Sequence, residues 1–149
     1  MANRYASSYR GFDYLQLDAQ LSAEQLLIRN SVREWVNNAV IPIIDDCAEH
    51  NTFPQHLIKE LGSIGAFGAH IPTQYGGGGL DAVSYGLIMQ ELERGDSGTR
   101  SCASVQSSLV MYPIWKFGSE AQKNKFLPKL AKGELIGSFG LTEPNHGSD

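Results

Sequence analysis

Cysteine is scarce in this 149-residue chain, with only Cys47 and Cys102, and they stand at no metal-ligand spacing. That excludes a disulfide framework, and the pair reads as reduced thiols of a cytoplasmic protein. Basic charge is not in excess either. Twelve Lys and Arg against sixteen Asp and Glu leave a net charge of −4, which speaks against phosphate-backbone binding as the main business. No apolar run approaches the roughly 18 residues of a membrane span. The opening MANRYASSYRGFDYLQ lacks the apolar core of a secretory signal. Arg4 and Arg10 among serines are soon followed by Asp13, so residues 1–20 read as a surface-lying N-terminal arm. There is no G-x-S-x-G elbow and no serine paired with a histidine and an acid at a telling spacing, so nucleophilic hydrolysis has no support. Internal repeats are absent, and the one low-complexity tract is a run of four glycines.

What is present is the material of a globular helical core: 42% hydrophobic and 9% aromatic residues. Ser22 and Gln25 fit a capping box, with Leu21 and Leu26 at the staple positions around it. Ile28, Val32, Trp35, Val36 and Ala39 follow as a helical stripe. Pro42 is predicted to end or kink that helix, since it has no amide proton and crowds the preceding turn; IIDDCAEH continues it for a turn or two. Pro54 suits the first position of a second helix, which carries Leu57, Ile58 and Leu61 inward and is stopped by Gly62 and Gly65. "IPTQYGGGG" is a loop. A third helix is predicted from about Asp81 to Arg94, with Val83, Leu87, Ile88 and Leu92 at core spacing, and "GDSGTRS" breaks it. A fourth runs from about Arg100 to Met111, ending before Pro113. A fifth opens at the capping box of Ser119 and Gln122 and closes at Gly133 in a left-handed cap. From Leu135 to Thr142 the period becomes strand-like. The expected class is mainly α, helical over 21–134, with one strand in residues 135–149.

Several groupings point to chemistry. Gly77, Gly79 and Ala82 formally match a dinucleotide-binding pattern, but that pattern needs a strand before it, and HIPTQY does not make one. Cys47 and His50 beside Asp45, Asp46 and Glu49 hold only fragments of a zinc site and read as a solvated acidic helix end. Lys116, Lys123, Lys125, Lys129 and Lys132 read as a solvated face. Arg100 stands where polar residues give way to the compact Cys102, Ala103, Ser107 and Ser108. An arginine there can fork onto a carboxylate, or it is an ordinary surface arginine. In the closing FGLTEPNHGSD, Thr142 ends a strand-like run, Pro144 and Asn145 turn the chain, and Gly147 with Ser148 offer an open amide and a hydroxyl. These are parts of an anion nest, or simply a turn between strands.

GLTEPNHGSD resembles the flavin-binding signature of acyl-CoA dehydrogenases. YGLIMQELERGDSGTRS, SVQSSLVMYPI and FGSEAQKNKFLPKLAKGELIG extend the resemblance, in order, to the glutaryl-CoA dehydrogenase branch, over about Leu21 to the last residue. The resemblance implies a helical N-terminal domain of that type followed by the first strand of a middle β-domain. It implies FAD contacts along Phe139, Gly140, Leu141, Thr142, Glu143, Pro144, Asn145, His146, Gly147 and Ser148, with Leu141 and Thr142 against the isoalloxazine ring. Arg100 and Ser101 would recognise the distal carboxylate of the substrate, and Ser148 would lie near pyrophosphate or thioester. The implied reaction is α,β-dehydrogenation of glutaryl-CoA with decarboxylation to crotonyl-CoA, electrons leaving through an electron-transfer flavoprotein, in what is commonly a homotetramer. The family's catalytic base is a glutamate of a C-terminal bundle beyond Asp149, so the chain as it stands is expected to be inactive and to hold FAD poorly. Glu143 belongs to the signature and is not that base, and His146 replaces a small residue with no role assigned. Two other readings stay open: a dehydrogenase of simple short acyl-CoA thioesters, and a non-catalytic helical interaction module.

Overall fold

The computed structural model describes residues 14–148. Positions 1–13 of the expected N-terminal arm, and Asp149, lie outside the described residues. Residues Leu17–Gln20 form a 3-10 turn, and the Asp18 carboxylate takes both terminal nitrogens of Arg29.

The described residues divide into two compact units, one of residues 14–57 and 81–100, the other of 58–80 and 101–148. In the first, α1 (Ala23–Trp35) starts as its sequence dictates. The Ser22 hydroxyl accepts from the Gln25 amide at 3.1 Å, and the Gln25 side chain accepts from the Ser22 amide at 2.9 Å. Pro42 does not end the helix. The chain widens into a π turn over Val36–Val40 and continues as α2 (Ile41–Glu49). Ile41 donates five residues back to the Val36 carbonyl, so the turn ahead of the proline is too wide for the ring to strike the preceding carbonyls. α4 (Ala82–Gly95) is capped by Asp81, whose carboxylate accepts from the Ser84 amide. It packs on α1 through Ile88 and Leu92, against a buried wall that includes Val32, Val36 and Val40. Each such side chain contributes about 1.5–3 kcal/mol when fully buried. Gly95 permits this approach, since a Cβ there would lie 2.6 Å from a Val36 methyl. Val83, expected inward, is exposed instead: the buried face runs through Ser84, Ile88, Glu91 and Leu92, one position out of phase with it.

Glu91 is only 2% exposed and lies within this packing. Arg33 grips both its oxygens, at 2.6 and 3.1 Å, and Arg94 donates to one of them at 2.8 Å while reaching Asn37 at 2.8 Å. Burial pushes the carboxyl pKa up, but hydrogen bonds and charge from Arg33 and Arg94 outweigh it and hold the group below its ordinary value.

α5 (Ser97–Ser104) begins earlier than expected. "GDSGTRS" contains a helix start, with the Asp96 carboxylate capping the Thr99 amide at 2.6 Å. The helix also runs past Met111: a second π turn, Val105–Met111, leads into α6 (Tyr112–Phe117) with Pro113 in its first turn.

In the second unit, α7 (Glu120–Ala131) opens on the Ser119–Gln122 capping box and packs on α6, on the Val105–Met111 turn and on a short 3-10 turn at Thr73–Tyr75. It ends in a Schellman cap: Gly133, at φ +67°, donates to Leu130, and Glu134 donates to Lys129. Leu61, Phe67, Ile71, Met111, Leu127 and Leu130 are among this unit's buried apolar side chains. α3 (His56–Ser63) starts two residues after Pro54.

The strand expected over Leu135–Thr142 does not form. Among the described residues the only β pairing is an isolated antiparallel bridge between Glu143 and His146. A strand exists by exchanging backbone bonds with a neighbour, and among the described residues no other segment forms a β pairing with residues 135–142.

Candidate functional site

The tail begins where α7 ends. Gln106, in the second π turn and 1% exposed, donates its two amide hydrogens to the carbonyls of Leu130 (3.0 Å) and Leu135 (2.8 Å). Its oxygen accepts from the Gly137 amide at 3.0 Å. Two acceptors on one side and a donor on the other fix which end of the side-chain amide is which. Gly137 lies so close to Val110 that a Cβ would come within 2.3 Å of a valine methyl. Ser107, the next residue and fully buried, accepts from the Gly68 amide at 2.9 Å and donates to the Ala66 carbonyl.

Beyond this root the sequence-predicted residues are all exposed. Phe139 is 48% and Leu141 74% accessible, large values for apolar side chains. Gly140 and Gly147 have nothing within 4 Å of where a Cβ would stand. Glu143, Pro144, Asn145 and His146 make the turn that the sequence suggests, each end donating to the other at 3.1 Å. Proline sits at the first central position, where its fixed φ suits a reverse turn. The Glu143 carboxylate lies 3.8 Å from the His146 ring. Thr142 and Ser148 are exposed at either side of the turn.

Arg100 belongs to the first unit, Ser101 and the tail to the second. On α5, Arg100 Nε donates to the Glu93 carboxylate at 2.6 Å, and the Ser97 hydroxyl donates to the same carboxylate at 2.7 Å. The Arg100 hydrogen bond, then that of Ser97, lowers the Glu93 pKa. Ser101 is half-buried, its carbonyl accepting from the Ser104 hydroxyl.

Other sequence candidates resolve into structure. The glycine run folds back on residues 68–71, with Gly78, Gly79 and Leu80 donating to Gly68, Ile71 and Ala69. A Cβ on Gly77 would lie 2.1 Å from the Ile71 carbonyl oxygen. It is a packed corner with no strand before it, not a dinucleotide loop or a flexible connector. Cys47, His50 and their acidic neighbours end α2, and no group of His, Cys, Asp or Glu among the described residues is placed to hold a metal ion. Three of the five lysines lean on neighbouring side chains: Lys123 on Glu120 and the Tyr75 ring, Lys125 over Phe126, Lys116 over Trp115. No helix among the described residues is long and apolar enough to cross a membrane. Gln106 and Gly137 went unremarked in the sequence; the available signal was a polar pair, Gln106–Ser107, inside a helix running toward Pro113.

Residues 22–134 match the model of the acyl-CoA dehydrogenase N-terminal domain. The chain belongs to the acyl-CoA dehydrogenase family. A glutaryl-CoA dehydrogenase from Mycobacterium smegmatis, solved in complex with FADH2, superposes with a TM-score of 0.87 at 47% identity, over 90% of this chain and 34% of that one. The glutaryl-CoA dehydrogenase of Desulfococcus multivorans is 37% identical over 89% of this chain and 35% of its own length. A short-chain specific acyl-CoA dehydrogenase of Clostridium acetobutylicum is 41% identical over 89% and 35%. The chain thus spans about a third of the length of the relatives it matches. The mainly helical class expected from the sequence is the fold observed, an N-terminal domain of this family.

Proposed function

We propose that this chain supplies the helical domain and one wall of the flavin site of an FAD-dependent glutaryl-CoA dehydrogenase, which dehydrogenates and decarboxylates glutaryl-CoA to crotonyl-CoA. In this reading residues 21–134 form the helical domain and 135–149 lead into a β-domain. The assembled enzyme is a cytoplasmic homotetramer that passes electrons to an electron-transfer flavoprotein. The likeness to glutaryl-CoA dehydrogenases supports the branch.

The observation that carries the reading is the tail itself. Phe139 and Leu141 expose apolar surface that a planar ring would cover, and burying such surface is favourable by about 25 cal/mol per Å². The Thr142 and Ser148 hydroxyls stand exposed beside them, and Gly140 and Gly147 leave backbone amides approachable. These residues fit an amphipathic ring system with a hydrogen-bonding edge and an anionic arm. FAD, when bound, supplies the capacity to take up two electrons. The chain's own part is to bind and orient: Leu141 and Phe139 exclude water from one side, and Thr142 offers a hydrogen bond to the polar edge. Arg100 answers the distal carboxylate of a diacid, and Glu93 holds it in the meantime, so substrate must share or displace that pair.

That same pairing favours a second reading, in which Arg100 is already satisfied and the substrate is a simple short acyl-CoA. One protein separates the two: this chain joined after Ser148 to the remaining two thirds of the Mycobacterium smegmatis enzyme. It should purify yellow, with flavin absorbance near about 450 nm, and turn over glutaryl-CoA. Arg100→Gln should raise KM for glutaryl-CoA about tenfold to a hundredfold, the worth of a charge-assisted pair, and leave butyryl-CoA nearly untouched. A folded but colourless fusion overturns the flavin assignment. Unchanged glutaryl-CoA kinetics in Arg100→Gln overturn the diacid assignment and leave the second reading.

A further inference from the structure

We propose that Gln106 is a positioning residue for the tail, acting through the backbone of Leu135 and Gly137 to fix the direction in which residues 138–148 leave the helical body. The role rests on the reading that those residues face a flavin, but the anchor itself is a property of the second unit alone.

Three observations converge on it. First, every hydrogen-bonding group of the Gln106 side-chain amide is spent on one short stretch of backbone, Leu130 to Gly137. The Leu130 carbonyl already accepts from Gly133 in the cap of α7, so Gln106 ties the cap and the tail's first residues into one network. Second, Gln106 projects from the π turn Val105–Met111, a rare geometry that shifts the helix register; its neighbour Ser107 uses that turn to hold Gly68 and Ala66. Third, Gly137 is pressed against Val110 of the same turn, where any side chain would collide with the valine. The polar grip of Gln106 and the close contact at Gly137 therefore act on the same three residues from one turn. After Gly137 the only backbone pairing among the described residues is the local Glu143–His146 turn, so the orientation of Phe139, Leu141 and Thr142 is set at the root.

The test uses Gln106→Met, which keeps the length and bulk of the side chain and removes all three hydrogen bonds. In the 149-residue chain, amide exchange should accelerate at Gly137 by about tenfold, the worth of one buried neutral bond, while amides in the middle of α7 and α4 hold their protection. Gly137→Ala, which leaves Gln106 intact and displaces the same residues, should produce the same local loosening. In the fusion that carries the flavin, both variants should raise the dissociation constant for FAD about tenfold or more and leave KM for glutaryl-CoA within about twofold, a split that general loss of stability would not produce. Unchanged exchange at Gly137 overturns the anchor. Faster exchange with flavin affinity unchanged overturns its positioning role and leaves the flavin assignment standing. A fusion that never takes up flavin, even with Gln106 in place, overturns the flavin assignment and with it the positioning role, while exchange at Gly137 still decides whether the anchor exists.

Discussion

The chain builds the same backbone device twice and uses it differently. Val36–Val40 and Val105–Met111 are both π turns, each followed by a proline as second residue of the next α segment. In both, the residue before the proline donates five positions back, Ile41 to Val36 and Tyr112 to Ser107. The first turn buries only aliphatic side chains, Val36 and Val40, against Gly95. The second buries Gln106 and Ser107, which hold loop backbone on either side. A widened turn removes a steric conflict with proline in either setting. What it presents to its surroundings depends on the side chains it carries: in one place a surface for packing, in the other a set of hydrogen bonds.

The largest contrast should come from Ser107→Val. It leaves the buried Gly68 amide without an acceptor and adds a methyl to a filled site, so it should cost about 2–4 kcal/mol in urea unfolding. A loss under about 1 kcal/mol would mean that the second turn, like the first, works mainly by packing.

Next in size is the charge difference. Glu91 is the one buried carboxylate among the described residues, and it belongs to the first unit. Because its pKa is depressed in the folded chain, its contribution is fully present above its unfolded pKa and fades as pH falls through the folded value. Glu91→Gln should therefore cost about 2 kcal/mol at neutral pH and progressively less in acid, as the native carboxyl takes up its proton. Urea melts of both proteins across that range would show it; a penalty that stays constant with pH would remove the charge from the account.

The smallest effect separates the two turns by cause. Alanine at either proline should change stability by less than about 1 kcal/mol, mainly through the unfolded chain. Pro42→Ala should let Val36–Val40 relax toward regular α-helix, since aliphatic packing and the Arg94–Asn37 hydrogen bond oppose it less than the buried hydrogen bonds of the second turn would. Pro113→Ala should leave Val105–Met111 wide, because Gln106 and Ser107 still hold it. Amide chemical shifts of Ile41 and Tyr112 report which occurs, and relaxation of both turns together would make proline the sole cause.

These turns also mark where the sequence was legible. Capping is local, so Ser22 with Gln25, Ser119 with Gln122, and the left-handed Gly133 could each be read within a few residues and appear as expected. Pro113 was misread because the rule for a proline inside a helix assumes the α ladder, and a π turn evades that assumption. The strand at Leu135–Thr142 was misread because alternation describes a surface, whereas a strand needs a partner. In the candidate site, the Pro144–Asn145 turn was legible for the same local reason as the caps. Gln106 was not, since its partners lie 24 to 31 residues downstream.

The four consecutive glycines would tempt a protein engineer looking for a slack place to splice in an epitope tag or a fluorescent reporter. Gly77 sits against the Ile71 carbonyl and Gly78 against that of Ala69, so cargo there would wedge open a closed corner. Gly86, on α4 with open space around it, is where a single dye-bearing residue can be accommodated.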